Sequence, residues 1–186
     1  MKRTLIVIDM QNDFVTGPLG TEEARAIVPN IKAKIDEYIK NGDEVIFTRD
    51  THDENYLNTN EGKHLPIPHC IHDTEGWQVI PELDIPECEH IDKFTFGWPH
   101  WWINNEQVFD DSEDTSSFFR DMIEIELVGV CTDICVVSNA LILKSMYPRA
   151  KITVDASCCA GVTPETHKAA LTVMKSCQIE VVNEEA

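Results

Sequence analysis

The residue in this sequence best placed for covalent chemistry is Cys135, in the segment 129–135 with the sequence GVCTDIC. This segment follows the β-rich run 125–130 and leads into a helix-like stretch. A thiol on the first turn of a helix lies near the positive end of the helix dipole and near unpaired backbone N–H groups, so the thiolate is expected to be favoured. The alternative is that Cys135 is a small buried core residue, which is the commoner role of cysteine.

Two further chemical groups lie where strands are expected to end. Asp9 follows the apolar run 5–8, and Lys93 ends the run 89–93. The carboxyl ends of parallel strands meet at one edge of a sheet, so these two side chains and Cys135 should converge there. A carboxylate can accept the thiol proton, and an ammonium ion stabilises a thiolate. Taken singly, Asp9 could cap a strand end and Lys93 could be a solvated surface lysine.

A second constellation is rich in histidine and carboxylate. Asp50 and His52 follow the strand-like run 44–49, and Glu61, His64 and His69 come soon after. Imidazole and carboxylate together suit Zn²⁺, Fe²⁺ or Mn²⁺. The segment therefore predicts a site for one divalent metal ion, the alternative being a polar surface loop with scattered histidines.

The segment 94–102, FTFGWPHWW, is rich in aromatic residues. Such a segment can line a substrate pocket, form a subunit interface or pack on the core as a lid, and the sequence does not separate these roles. Trp98, Trp101 and Trp102 are expected to be exposed and would suit an interface.

Composition narrows the class of protein. The 186 residues fit one domain, residues 1–186, and 42% hydrophobic with 26% charged residues is typical of a soluble globular chain. A net charge of −18 argues against nucleic acid and anionic membranes as partners. No apolar run approaches the roughly 18 residues that span a bilayer. Seven cysteines without a secretory signal predict reduced thiols and a cytoplasmic location.

Apolar runs alternate with helical patterns along the whole chain. Six strands are predicted, at residues 5–8, 44–49, 89–93, 125–130, 151–155 and 178–182, and helices at 28–41, 115–122, 133–146 and from 163 onward. Strands that alternate with helices predict an α/β fold with a three-layer, doubly wound, mostly parallel six-stranded sheet, Rossmann-like in topology. The polar segment 51–80 is too long for an ordinary connection, so it is expected to be either functional or disordered.

Several short motifs, in this order and spacing, resemble those of the isochorismatase-like cysteine hydrolase family, and within it the nicotinamidases. The resemblance covers nearly the whole chain. It rests on residues 8–14 (IDMQNDF), 48–52 (TRDTH), 66–70 (PIPHC), 92–93 (DK), 129–135 (GVCTDIC) and 160–162 (AGV).

The resemblance implies a role for each matching residue. Cys135 would be the nucleophile of an amide hydrolysis that passes through a thioester, Asp9 the general acid and base, and Lys93 the group that positions and polarises. Backbone N–H groups of Cys131 and Cys135 would form the oxyanion hole, and the peptide bond before Cys131 would be cis.

The resemblance also implies a metal-ligand set. Asp50, His52 and His69 match ligands of nicotinamidases, and Glu61 is the expected fourth ligand, with His64 as the alternative. Zinc is the first choice of metal, with iron and manganese as alternatives. In nicotinamidases the metal binds the pyridine nitrogen, whereas family members that act on isochorismate or carbamoyl compounds generally lack this set. Nicotinamide is therefore the expected substrate.

Two features depart from the nicotinamidase pattern. The aromatic residue that often precedes the Pro-Pro-His segment is replaced here by His64-Leu65-Pro66, so Leu65 and Phe14 are the expected substrate contacts. The loop after Lys93 is unusually rich in tryptophan. Another small amide or a carbamoyl compound is thus an alternative substrate, and a non-catalytic metal-binding or interaction domain is an alternative of another class. The resemblance further implies a homo-oligomer, either a dimer or a tetramer.

Overall fold

The computed structural model describes residues 3–101, 103 and 123–184, and within them it contains one six-stranded sheet. The strands are β1 (Arg3–Ile8), β2 (Glu44–Asp50), β3 (Glu89–Lys93), β4 (Glu124–Val130), β5 (Lys151–Ala160) and β6 (Glu180–Val182). Their order across the sheet is β3-β2-β1-β4-β5-β6, and every neighbouring pair is parallel. The predicted α/β class is confirmed, and the described sheet is parallel throughout rather than only mostly so.

Helices connect the strands. They are α1 (Asn12–Val15), α2 (Glu22–Ala26), α3 (Val28–Asn41), α4 (Asn60–His64), α5 (Val137–Met146) and α6 (Pro164–Ser176). The helix expected at 133–146 is divided, because a π-helical turn covers Thr132–Val136 before α5 begins. The helix expected at 115–122 lies outside the described residues.

The ends of α3 and α6 follow from local residue types. Pro29 occupies the first turn of α3, and Gly42 ends that helix at φ +73°, a left-handed conformation that glycine adopts without steric cost. Thr163 caps α6 by accepting a hydrogen bond from the backbone N–H of Thr166.

The sheet separates two hydrophobic cores because side chains alternate along a strand. In β1, Leu5 and Val7 lie in one core while Ile6 and Ile8 lie in the other, and all four are fully buried. The first core also contains Ile31 and Ile35 of α3, and the second contains Leu143 of α5 and Met174 of α6. This is the predicted three-layer arrangement.

The tryptophans of the aromatic segment 94–102 that the structure describes are more buried than expected. Trp101 is only 1% exposed and belongs to the second core, and Trp98 is half-buried against it. The expectation that Trp101 is exposed is wrong, because its indole N–H finds a buried acceptor in Asn139 Oδ1 at 3.2 Å. Trp102 lies outside the described residues.

The topology places a crevice at the centre of the sheet. The chain order reverses between β1 and β4, and open α/β sheets bind ligands outside the carboxyl ends of strands at such a switch point. Asp9 follows β1 directly, and the π-helical turn follows β4. Among the described residues, no helix combines the length and the apolar character needed to cross a bilayer.

Candidate active site and metal centre

The structure brings Asp9, Lys93 and Cys135 together at this edge of the sheet. Nζ of Lys93 lies 2.7 Å from Oδ2 of Asp9 and 3.5 Å from Sγ of Cys135. Asp9 and Lys93 have no exposed surface, and Cys135 is 6% exposed. A carboxylate, an ammonium ion and a thiol from three distant parts of the chain therefore share one buried volume.

Asp9 is set up as a proton acceptor. Its Oδ1 accepts a hydrogen bond from the Thr48 hydroxyl at 2.6 Å, and its backbone N–H points at Thr48 of the adjacent strand. Burial raises the pKa of Asp9 above its ordinary value, and the nearby Lys93 ammonium opposes this rise. Thr48 begins the motif 48–52, but its role was not identified from the sequence, because a threonine inside a strand gives no local sign of a bond to the next strand.

The thiol of Cys135 is neutral at rest. Burial raises the pKa of Cys135 well above its ordinary value, and Lys93 counteracts only part of this increase. The expectation that position near a helix start favours the thiolate is therefore wrong for the site alone, because desolvation by burial raises the pKa of the thiol. Lys93 contacts both Asp9 and this thiol, so the Asp9 carboxylate lies close enough to accept the thiol proton when attack begins.

Lys93 keeps its charge despite full burial. Burial alone would lower the pKa of Lys93, but the negative charges of Asp9 and Asp50 outweigh it and hold that pKa well above its ordinary value. The register of the sheet produces this contact, since Asp50 and Lys93 are paired across β2 and β3.

The four residues Asp50, His52, Glu61 and His69 form a second cluster beside Lys93. One ligand atom from each lies within 4.8 Å of the others. Nε2 of His52 is 2.9 Å from Oδ2 of Asp50 and 3.7 Å from Oε1 of Glu61. Burial would raise the pKa of Asp50, but its contacts with the rings of His52 and His69 and with the Lys93 ammonium hold it far below its ordinary range.

Glu61, rather than His64, joins this cluster. Both residues belong to α4, but Nδ1 of His64 contacts the carbonyl oxygen of Asn60 at 2.8 Å and the residue is exposed. Of the two alternatives for the fourth ligand, the structure favours Glu61.

The donor set fits a divalent cation. Nδ1 of His69 is 2.8 Å from the carbonyl oxygen of Ile67, which fixes the proton on that nitrogen and directs the lone pair of Nε2 toward Oδ2 of Asp50, 3.6 Å away. A neutral imidazole nitrogen and a carboxylate oxygen are both electron-rich, so a cation complements them. Two imidazoles and two carboxylates suit zinc, iron or manganese.

Gln11 is a supporting residue that sequence reasoning did not single out. Its Nε2 donates to the carbonyl oxygens of Asp50 and Trp77, both at 2.8 Å, and its Oε1 accepts from the backbone N–H of Asp50 at 2.7 Å. These bonds fix the backbone that carries Asp50. Its place in the motif 8–14 was the available signal.

A cleft of about 370 Å³, partly open to solvent, leads to these groups. The cleft is lined by Phe14, Leu19, Thr21, Asp50, Glu61, His64, Leu65, His69, Phe96, Cys131, Ile134, Cys135 and Val162. The expected substrate contacts Phe14 and Leu65 both lie on its wall, and the ring of Phe14 meets the ring of His69 edge-on at 5.4 Å. The wall is mostly apolar.

The expected oxyanion-hole positions border the same cleft. Cys131 and Cys135 both line it, and the peptide bond between Val130 and Cys131 is cis, as the resemblance implied. The π-helical turn Thr132–Val136 joins the two cysteines.

Comparisons with known proteins agree with this geometry. The isochorismatase domain model matches residues 3–186. The nicotinamidase/pyrazinamidase of Mycobacterium tuberculosis is 28% identical over 192 residues, which cover 97% of this chain and 98% of that protein. The crystal structure of nicotinamidase PncA from Bacillus subtilis matches with a TM-score of 0.75 at 28% identity, over 98% of this chain and 100% of that one. The pyrazinamidase of Pyrococcus horikoshii in complex with zinc matches with a TM-score of 0.74 at 27% identity, over 98% and 99% of the two chains. Because the domain match spans residues 3–186 and the solved relatives share the fold, this chain belongs to the isochorismatase family.

Proposed function

We propose that the protein is a cysteine amidase that hydrolyses nicotinamide to nicotinate and ammonia. The observation that carries the proposal is the buried contact of Lys93 with both Asp9 and Cys135, next to the cluster of Asp50, His52, Glu61 and His69. Relatives named nicotinamidase or pyrazinamidase support an aromatic carboxamide as the substrate.

The first step makes the thioester. Asp9 accepts the proton of Cys135 while the sulfur attacks the carboxamide carbon, so a C–S bond forms and the π electrons move to oxygen. The backbone N–H groups of Cys131 and Cys135 stabilise the oxyanion, and single donors of this kind are worth about 10²–10³ in rate. Asp9 then returns its proton to nitrogen, the C–N bond breaks and ammonia leaves.

The second step releases the acid. Asp9 accepts a proton from water as the water oxygen attacks the thioester carbon. The C–S bond breaks, the proton returns to sulfur, and the acid leaves; its carboxyl proton passes to the released ammonia, which gives nicotinate and ammonium. Lys93 balances the charge on Asp9 and on the sulfur in both steps.

The metal-ligand residues position the substrate. Asp50, His52, Glu61 and His69 would hold one divalent ion, zinc as first choice with iron and manganese as alternatives, and this ion would supply a Lewis acid for the pyridine nitrogen. Phe14 and Leu65 offer apolar surface to the faces of the ring.

Hydrolysis by zinc-loaded protein tests the proposal, with nicotinate and ammonia both quantified. Nicotinamide and pyrazinamide should be cleaved faster than benzamide and small carbamoyl compounds. Cys135→Ala should lower kcat by about 10⁴-fold or more, because a nucleophile cannot be replaced by water in the same geometry.

The matched control is Cys159→Ala, since Cys159 is also buried but lies in β5 within the core. That variant should retain full activity. Turnover by Cys135→Ala would falsify the assignment of the nucleophile, and faster cleavage of a carbamoyl compound than of nicotinamide would replace the proposed substrate.

A further inference from the structure

Asn139, in the first turn of α5, is a fully buried amide whose donors and acceptor are all engaged. Its Nδ2 donates to the carbonyl oxygens of Cys135 at 2.8 Å and Phe96 at 3.2 Å. Its Oδ1 accepts from the backbone N–H of Trp98 at 2.8 Å and from the indole N–H of Trp101 at 3.2 Å. One side chain thus joins the backbone of the nucleophile to the aromatic segment.

The contact with Cys135 occurs where helical geometry changes. The turn Thr132–Val136 is π-helical and α5 follows it, and such turns shift carbonyl groups out of the regular ladder of hydrogen bonds. The amide of Asn139 reaches back four residues to the carbonyl oxygen of Cys135. Fixing this carbonyl restrains the backbone of Cys135 and therefore the direction in which its sulfur projects.

The hydrogen bonds of Asn139 to the aromatic segment hold a wall of the cleft in place. The aromatic segment leaves β3 directly after Lys93, and Phe96 lines the cleft. Gly97 sits tightly on α5, since a Cβ at this position would lie 2.4 Å from Cδ1 of Ile142. The segment is therefore docked on the same helix that carries Asn139.

We propose that Asn139 is a positioning residue: its bond to the carbonyl oxygen of Cys135 aims the sulfur at the reacting carbon, and its bonds to the aromatic segment set the substrate-facing wall. This inference rests on Cys135 being the nucleophile of the proposed function and is independent of which carboxamide is the substrate.

The substitutions Asn139→Thr and Asn139→Val separate the two roles, because threonine and valine have the same shape. A threonine hydroxyl in a helix can donate to the carbonyl four residues back, as Thr172 does to Lys168 at 2.9 Å in α6. Valine cannot, and neither residue can replace the bonds to the aromatic segment.

Kinetics are measured with the carboxamide that the wild type hydrolyses fastest. The threonine variant should keep kcat within about threefold, whereas the valine variant should lose about tenfold or more, since small misplacements of reacting atoms are costly. KM should rise by a similar factor in both variants, because both lose the hydrogen bonds that hold the aromatic segment at the wall of the cleft. Equal kcat in the two variants overturns the proposal.

Tyr147→Phe is the control for general loosening of the aromatic segment. The Tyr147 hydroxyl donates to the carbonyl oxygen of Trp101 and accepts from the backbone N–H of Ile103, both at 3.1 Å. This variant should keep the kcat of the wild type, and a loss as large as that of the valine variant also overturns the proposal. Thermal melting verifies folding, and an Asn139→Ser and Asn139→Ala pair replaces the first pair if valine prevents folding.

A second readout separates failure of this inference from failure of the proposed function. If the wild type cleaves no carboxamide, the proposed function is wrong, and the rate of Cys135 alkylation by iodoacetamide is followed by mass spectrometry instead. The valine variant should react at least about threefold more slowly than the threonine variant, because a displaced sulfur loses its 3.5 Å contact with Lys93, which stabilises the thiolate. Equal alkylation rates contradict the role of Asn139.

Discussion

At the scale of single residues, Lys93 connects the two halves of the site. Its ammonium lies 2.7 Å from Asp9, 3.3 Å from Asp50 and 3.5 Å from the sulfur of Cys135. Burying a charge costs free energy unless an opposite charge lies beside it. Here the ammonium ion stabilises both carboxylates, and the carboxylates stabilise the ammonium ion. Asp9, the proposed general acid and base, and Asp50 of the candidate metal centre thus share one cation.

Lys93→Met should abolish most of the activity while keeping the side-chain volume. Without the ammonium, the pKa of Asp9 rises further above its already raised value, so the carboxyl group becomes protonated and cannot accept the thiol proton. We expect kcat/KM to fall by at least about 10²-fold. A carboxylate base loses activity as the pH falls through its pKa, so this acidic limb of the pH–rate profile should move to higher pH in the variant.

Lys34→Met is the control for removal of a cation that is paired with two carboxylates but is only half-buried. Nζ of Lys34 pairs with Glu126 at 2.6 Å and with Asp155 at 2.8 Å, and it does not line the cleft. This variant should lose about 3 kcal/mol of unfolding free energy in urea titrations yet keep its kcat. An equal loss of kcat in both variants would show that stability, not catalysis, is affected at Lys93.

At the scale of elements, the sequence predicted what depends on local pattern. Continuous apolar runs marked the buried strands, and Pro29 and Gly42 marked the ends of α3. Strand ends also placed Asp9 and Lys93 at one edge, because parallel strands share their direction. These features need no knowledge of distant contacts.

Features that depend on distant contacts were not predictable. Strand β5 continues to Ala160 instead of ending at residue 155, because an irregularity in its pairing with β4 absorbs extra residues. The π-helical turn was missed because its periodicity resembles that of an α-helix. Thr48 and Asn139 were missed because neutral side chains inside elements show their partners only after folding.

Gly129→Ala tests how strictly β1 and β4 must approach each other. Gly129 has φ +117°, and a Cβ there would lie 2.1 Å from the carbonyl oxygen of Ile8, the residue before Asp9. The strands must separate to admit the methyl group. We expect a loss of at least about 3 kcal/mol in unfolding free energy and loss of activity in the folded fraction, measured by urea titration and by hydrolysis.

Gly42→Ala supplies the comparison, because Gly42 also has a positive φ but a Cβ there would have no neighbour within 4 Å. Gly42→Ala should lower the free energy of unfolding by only about 1 kcal/mol, the cost of a side chain at positive φ, and should leave the activity unchanged. If Gly129→Ala behaves like Gly42→Ala, the close approach of the strands does not position the site.

At the scale of the whole molecule, the protein carries a large excess of negative charge outside the site. The chain carries 33 acidic and 15 basic residues, a net charge of −18. The buried Lys93 and the half-buried Lys34 are each paired with two carboxylates. The excess is therefore carried by acidic residues such as the exposed Glu54, Glu82 and Glu87. Like charges on a compact surface repel one another and favour the expanded unfolded chain.

Salt should therefore stabilise this protein. Raising NaCl from about 10 mM to about 150 mM shortens the screening length to about 8 Å and weakens repulsion between surface carboxylates. We expect Tm in scanning calorimetry to rise by about 2–4 °C, which corresponds to roughly 1 kcal/mol for a chain of this size.

The combined variant Glu54→Gln, Glu82→Gln and Glu87→Gln lowers the net charge from −18 to −15, so its Tm should be higher at low salt and should respond less to added salt. A salt response of the same size in this variant would mean that ion binding at one place, rather than distributed repulsion, causes the stabilisation.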